Sequence, residues 1–502
     1  MPVMSDPVTR ALYDRWIAAL ASQSRRDVAR VLPAATSMDV DSFERQVMGF
    51  ERRILRLCRT ADGDTATLDP DAGQLVLLSS RNLPAYFVAL AGLWKRGFVP
   101  LLADADLGRS EIARLVESFR PALCLIDRRV EPAGGQVDGL GGMLPGLRAW
   151  QPPKRLRPVH VPGAAVVRLT SGTTGKPRGC LVTPDQLLAD ARQITASMGI
   201  TPRDSMVAAI PLGHAYAFVH ILMSLVLQGT RPILLEQPLP ALLLEAISGP
   251  GPIVFPGTPY LFELLLKSAG RRRFKGLRLC LSAGAPLPAE LGAAFRKSIG
   301  LPIRTFYGAS ECGGITFDRS SGGGLPDGCV GTPLDGVTLD IVPVPGLDPG
   351  SGRIRVASAA VAAGYLDRES VQPFEGDRGR FVTQDFGRLD DLRRLWITGR
   401  ADRAINVDGR KVNPVEVENV LRAIPKVRQA IVLAIADRRR GQSVCACLVT
   451  DRGLTRETVL SACAARLAPF KVPRCVEFVN AIPLTGRGKT DWASLAALVA
   501  RH

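Results

Sequence analysis

Leu169-Thr170-Ser171-Gly172-Thr173-Thr174-Gly175-Lys176-Pro177-Arg178-Gly179 is the stretch that decides how this chain is organised. The apolar run Ala165-Val166-Val167 leads into it and reads as a buried strand. From Thr170 to Gly179 the chain is almost entirely Gly, Ser, Thr and basic residues. Such a loop folds backbone N–H groups and hydroxyls around phosphate oxygens, and Lys176 and Arg178 add positive charge. Its glycines allow close backbone approach and unusual φ/ψ values. It is not a Walker A loop, in which Ser or Thr comes after the Gly-Lys pair, because Pro177 stands after Lys176 here. Proline at that place disfavours helical geometry at Lys176, so the loop should not run straight into a helix.

The chain has 502 residues, 46% of them hydrophobic, which is enough for two to four domains with real cores. The start, Met1-Pro-Val-Met-Ser-Asp, has no basic segment followed by an apolar one, so no secretory signal is expected. An uncharged run from Ser205 to Thr230 is long enough to raise the question of a membrane span. It contains Pro211, Gly213, His214 and His220, and splits into a strand (Met206–Ile210), a loop (Pro211–Ala215) and a buried helix (Tyr216–Leu227). The 10 cysteines are scattered without a C-x-x-C pair, and Cys445 and Cys447 should share one face of a strand. A reduced, cytoplasmic protein is expected. The net charge of +17 invites a nucleic-acid reading, but apart from 271–273 and 438–440 the arginines are dispersed, and aromatics make up only 6%. A basic surface equally suits ATP, coenzyme A, an acidic carrier protein or an anionic membrane face.

Periodicity predicts a first helix opening at Asp6-Pro7 with Leu12, Trp16 and Leu20 on one face, and a second from about Asp41 with Phe43, Val47, Phe50, Ile54 and Leu57. Short apolar strands then alternate with helices: strands at 75–78, 98–102, 122–126, 206–210, 232–235, 253–255, 277–281 and 303–306, and helices at 83–95, 110–119, 259–267 and 288–297. That alternation means parallel sheets covered on both faces, with ligands at the carboxyl ends of the strands. From about Gly322 to Thr398, turns separate short β runs that read as a small antiparallel barrel or sheet. After Asp402 comes a compact α+β unit whose first helix carries Asn413 as N-cap, Pro414 at the first helical position and Glu416 at the third. Tyr307-Gly308-Ala309-Ser310-Glu311 closes the 303–306 strand, and its ring, hydroxyl and carboxylate can stack a base, touch a phosphate and hold Mg2+.

Thr170 to Gly179 resembles the phosphate loop of the adenylate-forming superfamily, which comprises acyl- and aryl-CoA synthetases, adenylation domains and luciferases. The resemblance extends in order over roughly residues 40 to 495. Tyr307 to Glu311 is similar to that family's Tyr-Gly-x-Thr-Glu motif, with Ser310 for Thr, and Thr383-Gln384-Asp385 to its Thr-Gly-Asp, with Gln384 for Gly. Pro211-Leu212-Gly213-His214 resembles the acyl-pocket segment, Thr398-Gly399-Arg400-Ala401-Asp402 the hinge motif, and Pro483-Leu484-Thr485-Gly486-Arg487-Gly488-Lys489 the catalytic-lysine loop.

The resemblance implies an α/β fold. A large N-terminal adenylation domain (1–399) holds two doubly wound parallel-sheet subdomains and a small β-barrel, and a small mobile α+β lid (400–502) completes the chain. It implies ATP-dependent activation of a carboxylic acid to acyl-AMP, then transfer to the thiol of coenzyme A. Candidate pocket residues, drawn from His214 to Met223, Pro256 to Tyr260 and Ser282 to Pro286, are small or apolar with no clear cation for a second carboxylate, so an aryl or medium- to long-chain fatty acid is expected. Loading of a phosphopantetheine carrier protein and a non-catalytic nucleotide-binding relative are the alternatives. Thr170, Ser171, Gly172, Thr173, Thr174, Gly175 and Lys176 then hold phosphates. Gly284, Ala285, Pro286, Tyr307 and Gly308 border the adenine, Ser310 meets the α-phosphate, Asp385 holds the ribose hydroxyls, and Arg400 reaches the ribose or phosphate. Thr170 and Glu311 bind Mg2+, His214 sits by the substrate carboxylate, Lys489 bridges the reacting groups, and Asp402 is the hinge.

Overall fold

The strand that leads into the glycine-rich loop, Val166–Thr170, is one of a parallel set whose members carry apolar residues on both faces. The structure is a computed structural model. It describes residues 8–23, 27–33, 36–59, 73–132, 136–138, 144–152, 157–170, 177–270, 272–320, 324–345, 347, 349–367, 370–403, 405–407, 410–437, 441–484 and 490–499. Two compact units form: one of residues 1–327, 331–338 and 356–381, the other of residues 328–330, 339–355 and 382–502.

The first unit holds two nine-stranded sheets. In spatial order one runs 332–333, 313–317, 303–309, 277–282, 253–257, 205–208, 231–235, 27–32 and 36–39. The strands from 303–309 to 27–32 are mutually parallel, and the edge pairs are antiparallel. The other runs 370–372, 364–367, 178–182, 166–170, 99–103, 75–79, 123–127, 147–151 and 136–138, with its four middle strands, 166–170 to 123–127, parallel. Strands 75–79, 99–103 and 123–127 are buried at every position, which is why they read in the sequence as unbroken apolar runs. Helices Pro84–Lys95 and Arg109–Phe119 connect them, as the alternation predicts.

Strand Val166–Thr170 pairs antiparallel with Arg178–Val182, Thr170 opposite Arg178, so the element that follows residues 171–176 is a strand and not a helix. Helix Pro184–Met198 begins only after that strand, capped by the Thr183 hydroxyl and the reciprocal Gln186 side chain, and ends at Gly199 in the left-handed conformation.

The first helix starts at Arg10, after Thr9, and buries Leu12, Trp16 and Leu20 as expected, while Asp6 and Pro7 lie outside the described residues. The uncharged run after Ser205 folds as a strand, a loop and a continuous helical stretch, Ala215–Gln228, whose middle turn, Phe218–Met223, is a π-helix. Among the described residues no helix is long and apolar enough to cross a membrane.

In the second unit a four-stranded sheet has the order 338–343, 352–357, 380–389 and 395–400. A five-stranded sheet comprises 410–412, 405–407, 441–450 and 427–437, with 475–478 parallel to 441–450. One core of that sheet takes Val417 and Leu421 of helix Pro414–Arg422 and Val459 and Cys463 of helix Arg456–Ala464. Cys445 and Cys447 point together to a second cluster, with Leu495 and Val499 of helix Trp492–Val499. Asn413 caps the 414–422 helix by accepting from the Val415 N–H, whereas Glu416 turns to Lys471.

Candidate functional site

The Tyr-Gly-x-Ser-Glu segment is a tight hairpin. Strand 303–309 runs three residues beyond the expected Phe306, and Tyr307 pairs with Thr316, Gly308 with Gly314 and Ala309 with Gly313. Ser310, Glu311 and Cys312 form the tip. A Cβ at Gly308 would lie 2.6 Å from the Gly313 carbonyl, and Gly313 itself has φ +70° with the Asp190 carboxylate 2.5 Å from its Cβ position. Both positions therefore require glycine, and they place the Glu311 carboxylate at an apex.

A buried ion pair holds this hairpin to the strand before the glycine-rich segment 171–176. Arg168, in the strand leading into the loop, lies 3.2 Å from Asp190 of the helix after the hairpin, and both side chains are almost wholly buried. The same carboxylate accepts the Gly314 N–H at 2.9 Å. Burial pushes the Asp190 pKa up, while Arg168 and the Gly314 N–H pull it back.

Tyr365 makes a second tie. It lies opposite Cys180 on strand Gly364–Asp367, which pairs with the returning strand of the loop hairpin. Its hydroxyl donates to Glu311 Oε1 at 2.8 Å, and the Arg178 guanidinium sits 5.3 Å from its ring centre. Burial, then the Glu311 charge, raise the phenol pKa, so it remains an O–H donor. The backbone N–H of Ala362 also donates to the Glu311 carbonyl, at 2.9 Å.

His214 stands at the start of the Ala215–Ala217 turn with Nε2 2.9 Å from Oδ2 of Asp104, the residue that follows the 99–103 strand of the other sheet. Gly213 lets the loop close down, since a Cβ there would lie 2.2 Å from the Ala103 carbonyl. Asn82 fixes the same loop by donating to the carbonyls of Ala208 and Ile210 and accepting from the Leu212 N–H.

Behind it, Tyr216 stacks on Phe306 (5.6 Å, 17°) and donates to the Leu281 carbonyl at 3.0 Å. His220 meets both rings edge-on, with Nδ1 3.0 Å from the Tyr216 carbonyl and its buried Nε2 unsatisfied among the described residues. Burial lowers its pKa to about 4, so the imidazole is neutral at ordinary pH. At the end of strand Leu277–Ser282, Gly284 (φ +84°), Ala285 and Pro286 form an exposed turn.

In the second unit Asp385 and Arg400 pair across adjacent antiparallel strands, with Nη1 2.9 Å from Oδ1. Asp385 is buried, and its N–H donates to the Thr383 hydroxyl. Gln384 alternates to the exposed side of a continuous strand, so no glycine turn is needed there. Gly399 leaves room for Asn413, whose side-chain amide donates to the Thr398 carbonyl. Asp402 lies in a 3-10 turn, Ala401–Arg403, with its side chain outside the described ones. Ser171, Gly172, Thr173, Thr174, Gly175, Lys176 and Lys489 also lie outside the described residues.

The model of the AMP-binding enzyme family matches residues 56–366, and that of the AMP-binding enzyme C-terminal domain matches 416–489. The chain belongs to the AMP-binding enzyme family. This AMP-binding enzyme is 27% identical over 432 residues to a 2-succinylbenzoate–CoA ligase of Enterococcus faecalis, covering 84% of this chain and 88% of that protein. It is 27% identical over 488 residues to a feruloyl-CoA synthase of an Amycolatopsis species, covering 92% and 95%. Its fold is that of ATP-bound MatB from Rhodopseudomonas palustris, with a TM-score of 0.78 at 21% identity and coverage of 97% and 98%. It is an AMP-forming acyl- or aryl-CoA ligase that works with ATP, Mg2+ and coenzyme A.

Mg2+ is a hard cation that takes oxygen ligands, and it is commonly held by one or two carboxylates together with substrate phosphates. Glu311 fits: it is an oxygen donor, fixed through Oε1 and partly exposed at its hairpin tip. Arg168, Asp190, Tyr365, Asn82 and Asp104 carry no motif of their own. Only Arg168 gives a local signal, as a charge inside the apolar run 164–169.

Arg168→Met or Asp190→Leu alone should cost about 3–5 kcal/mol by stranding a buried charge, and the double variant should recover most of that. Unfolding of all four proteins in a double-mutant cycle checks this, and additive losses would contradict it. For His220 the folded pKa lies below the ordinary 6.5, so the unfolded chain binds the extra proton first. Stability is therefore lost as pH falls from about 6.5 towards 4, by roughly 3 kcal/mol in all. His220→Phe should flatten unfolding stability over that window, and an unchanged pH profile would contradict the assignment.

Proposed function

We propose that this ligase acts on an aryl acid or a medium- to long-chain fatty acid with a single carboxylate, and joins it to coenzyme A through its acyl-adenylate. The observation that carries this choice is the Tyr216–Met223 stretch, which holds no charged residue and whose one imidazole, His220, is kept neutral by burial. An acid with a second charge would find no countercharge on that stretch.

In the first half-reaction a carboxylate oxygen attacks the α-phosphorus in line, the bond to the β-phosphate bridging oxygen breaks, and pyrophosphate leaves. The reacting groups are all anionic, so the work lies in positioning and charge stabilisation. In this reading Ser171 to Lys176 cradle the leaving phosphates, and Glu311 and Thr170 hold Mg2+, which when bound neutralises charge on phosphate oxygens. Ser310 meets the α-phosphate. Tyr307, Gly308 and the 284–286 turn border the adenine, Asp385 accepts the ribose hydroxyls with Arg400 beside it, and Lys489 bridges the carboxylate and the α-phosphate. His214, held at Asp104, faces the entering acid.

In the second half-reaction residues 400–502 act as a lid that turns about Asp402 relative to residues 1–399 and withdraws Lys489. The thiol sulfur then attacks the acyl carbonyl, the bond from that carbon to the AMP oxygen breaks, and the thiol proton is released. The charge of +17 supports an acidic phosphopantetheine carrier protein as a second acceptor. The nine free thiols described support a cytoplasmic setting.

The test is acid-dependent ATP–pyrophosphate exchange over aryl, short-, medium- and long-chain acids, amino acids and dicarboxylates, with Lys489→Ala as control. Exchange is expected with aryl or medium- to long-chain acids, reduced about 10²-fold or more by the substitution, as for loss of one transition-state charge contact. Exchange confined to amino acids or dicarboxylates would overturn the proposed acid class. Thioester assays with coenzyme A and with a carrier protein then decide the acceptor.

A further inference from the structure

We infer that Tyr365 is a positioning residue for the metal-binding carboxylate, fixing Glu311 against the stem of the phosphate loop so that one carboxylate oxygen is already oriented before Mg2+·ATP arrives. This rests on reading Glu311 as the Mg2+ ligand. The geometry carries it in three steps. The Tyr365 hydroxyl donates to Glu311 Oε1 at 2.8 Å, and a bond to an ionised acceptor is among the stronger kinds.

Tyr365 is itself fixed on its other sides. Its strand pairs with 178–182, the returning limb of the phosphate-loop hairpin, with Tyr365 opposite Cys180. The Arg178 guanidinium lies 5.3 Å from its ring centre, and Phe374 meets the ring edge-on at 5.1 Å. Rotation of the phenol is thereby limited, and the hydroxyl position is set by the hairpin.

The Glu311 backbone is anchored independently. Its carbonyl accepts the N–H of Ala362, three residues before Tyr365, so strand 364–367 and its lead-in hold both ends of the glutamate. A carboxylate at a hairpin tip would otherwise sample several rotamers, and fixing them on metal binding would weaken the site. Partners of this kind typically change metal affinity by about 10- to 100-fold when removed. The tyrosine hydroxyl fixes the carboxylate through Oε1, so its remaining lone pairs are held in one orientation.

Tyr365→Phe keeps the ring, its edge-on contact with Phe374 and its contact with Arg178, and removes only the donor. Mn2+ binding, followed by electron paramagnetic resonance on the full chain with an α,β-non-cleavable ATP analogue, reads metal affinity without turnover. Wild type, Tyr365→Phe and Glu311→Gln are compared, with thermal unfolding as a check on folding. The expected result is a Mn2+ dissociation constant raised about 10-fold in Tyr365→Phe, with the unfolding temperature unchanged, and a larger loss in Glu311→Gln. In exchange assays the apparent Mg2+ constant should rise in parallel. A metal constant unchanged in Tyr365→Phe but lost in Glu311→Gln would overturn the positioning role alone. Wild-type Mn2+ binding in Glu311→Gln would overturn the reading of Glu311 as ligand, and the inference with it.

Discussion

The Arg168–Asp190 pair is the constraint on which the first unit's site depends. Arg168 belongs to the strand that leads into the glycine-rich segment, Asp190 to the helix after the paired strands, and the Gly314 N–H bound to Asp190 belongs to the hairpin carrying Glu311. One carboxylate thus joins elements from both nine-stranded sheets. An ion pair this deep gains little net free energy over a well-packed apolar pair, because desolvation offsets the attraction. What it contributes is registry. The strand before the glycine-rich loop and the hairpin that carries Glu311 must keep a fixed separation, and apolar contacts, being non-directional, set that less sharply.

The site is built from strand ends and hairpin tips on rigid sheets, and its anionic chemistry explains why. When acid, nucleotide and leaving group are all negative, the protein must supply fixed donors and charges before they meet. The glycines at 308 and 313 serve this by geometry, allowing main chain to pass within contact distance of main chain and of a buried carboxylate. Gly213 and Gly399 do the same for the His214 loop and for Asn413. In the second unit the buried Asp385 is held by Arg400 across the strand pair, so its carboxylate too is oriented in advance.

Much of the fold is legible in the sequence because buried parallel strands are unbroken apolar runs and the helices between them carry caps. The expected strands at 75–78, 98–102 and 277–281 differ from those found by a residue or two. The expected strand 303–306 is too short because its last three residues are stabilised by pairing with 313–317, a tertiary effect that a glycine-rich local sequence hides. Glu416 reads as a capping partner, but Lys471, brought in from 55 residues away, takes its carboxylate. The motif residues are legible as chemistry, whereas their supports are not. Tyr365, Asp190, Asn82 and Asp104 reach their partners only through sheet topology, across 54 residues for Tyr365 and Glu311 and 124 for Asp190 and Gly314. In the sequence His220 is one more residue of an apolar helix, and only its place between Tyr216 and Phe306 shows why it stays neutral.

The first chemical event of an AMP-forming ligase is the attack of the acid's own oxygen on the α-phosphorus of ATP. Turnover of an 18O-carboxylate acid with ATP and coenzyme A, read by mass spectrometry of the nucleotide product, observes that event directly. AMP carrying one 18O atom for each thioester formed is expected. Unlabelled AMP, or ADP in its place, would contradict the mechanism.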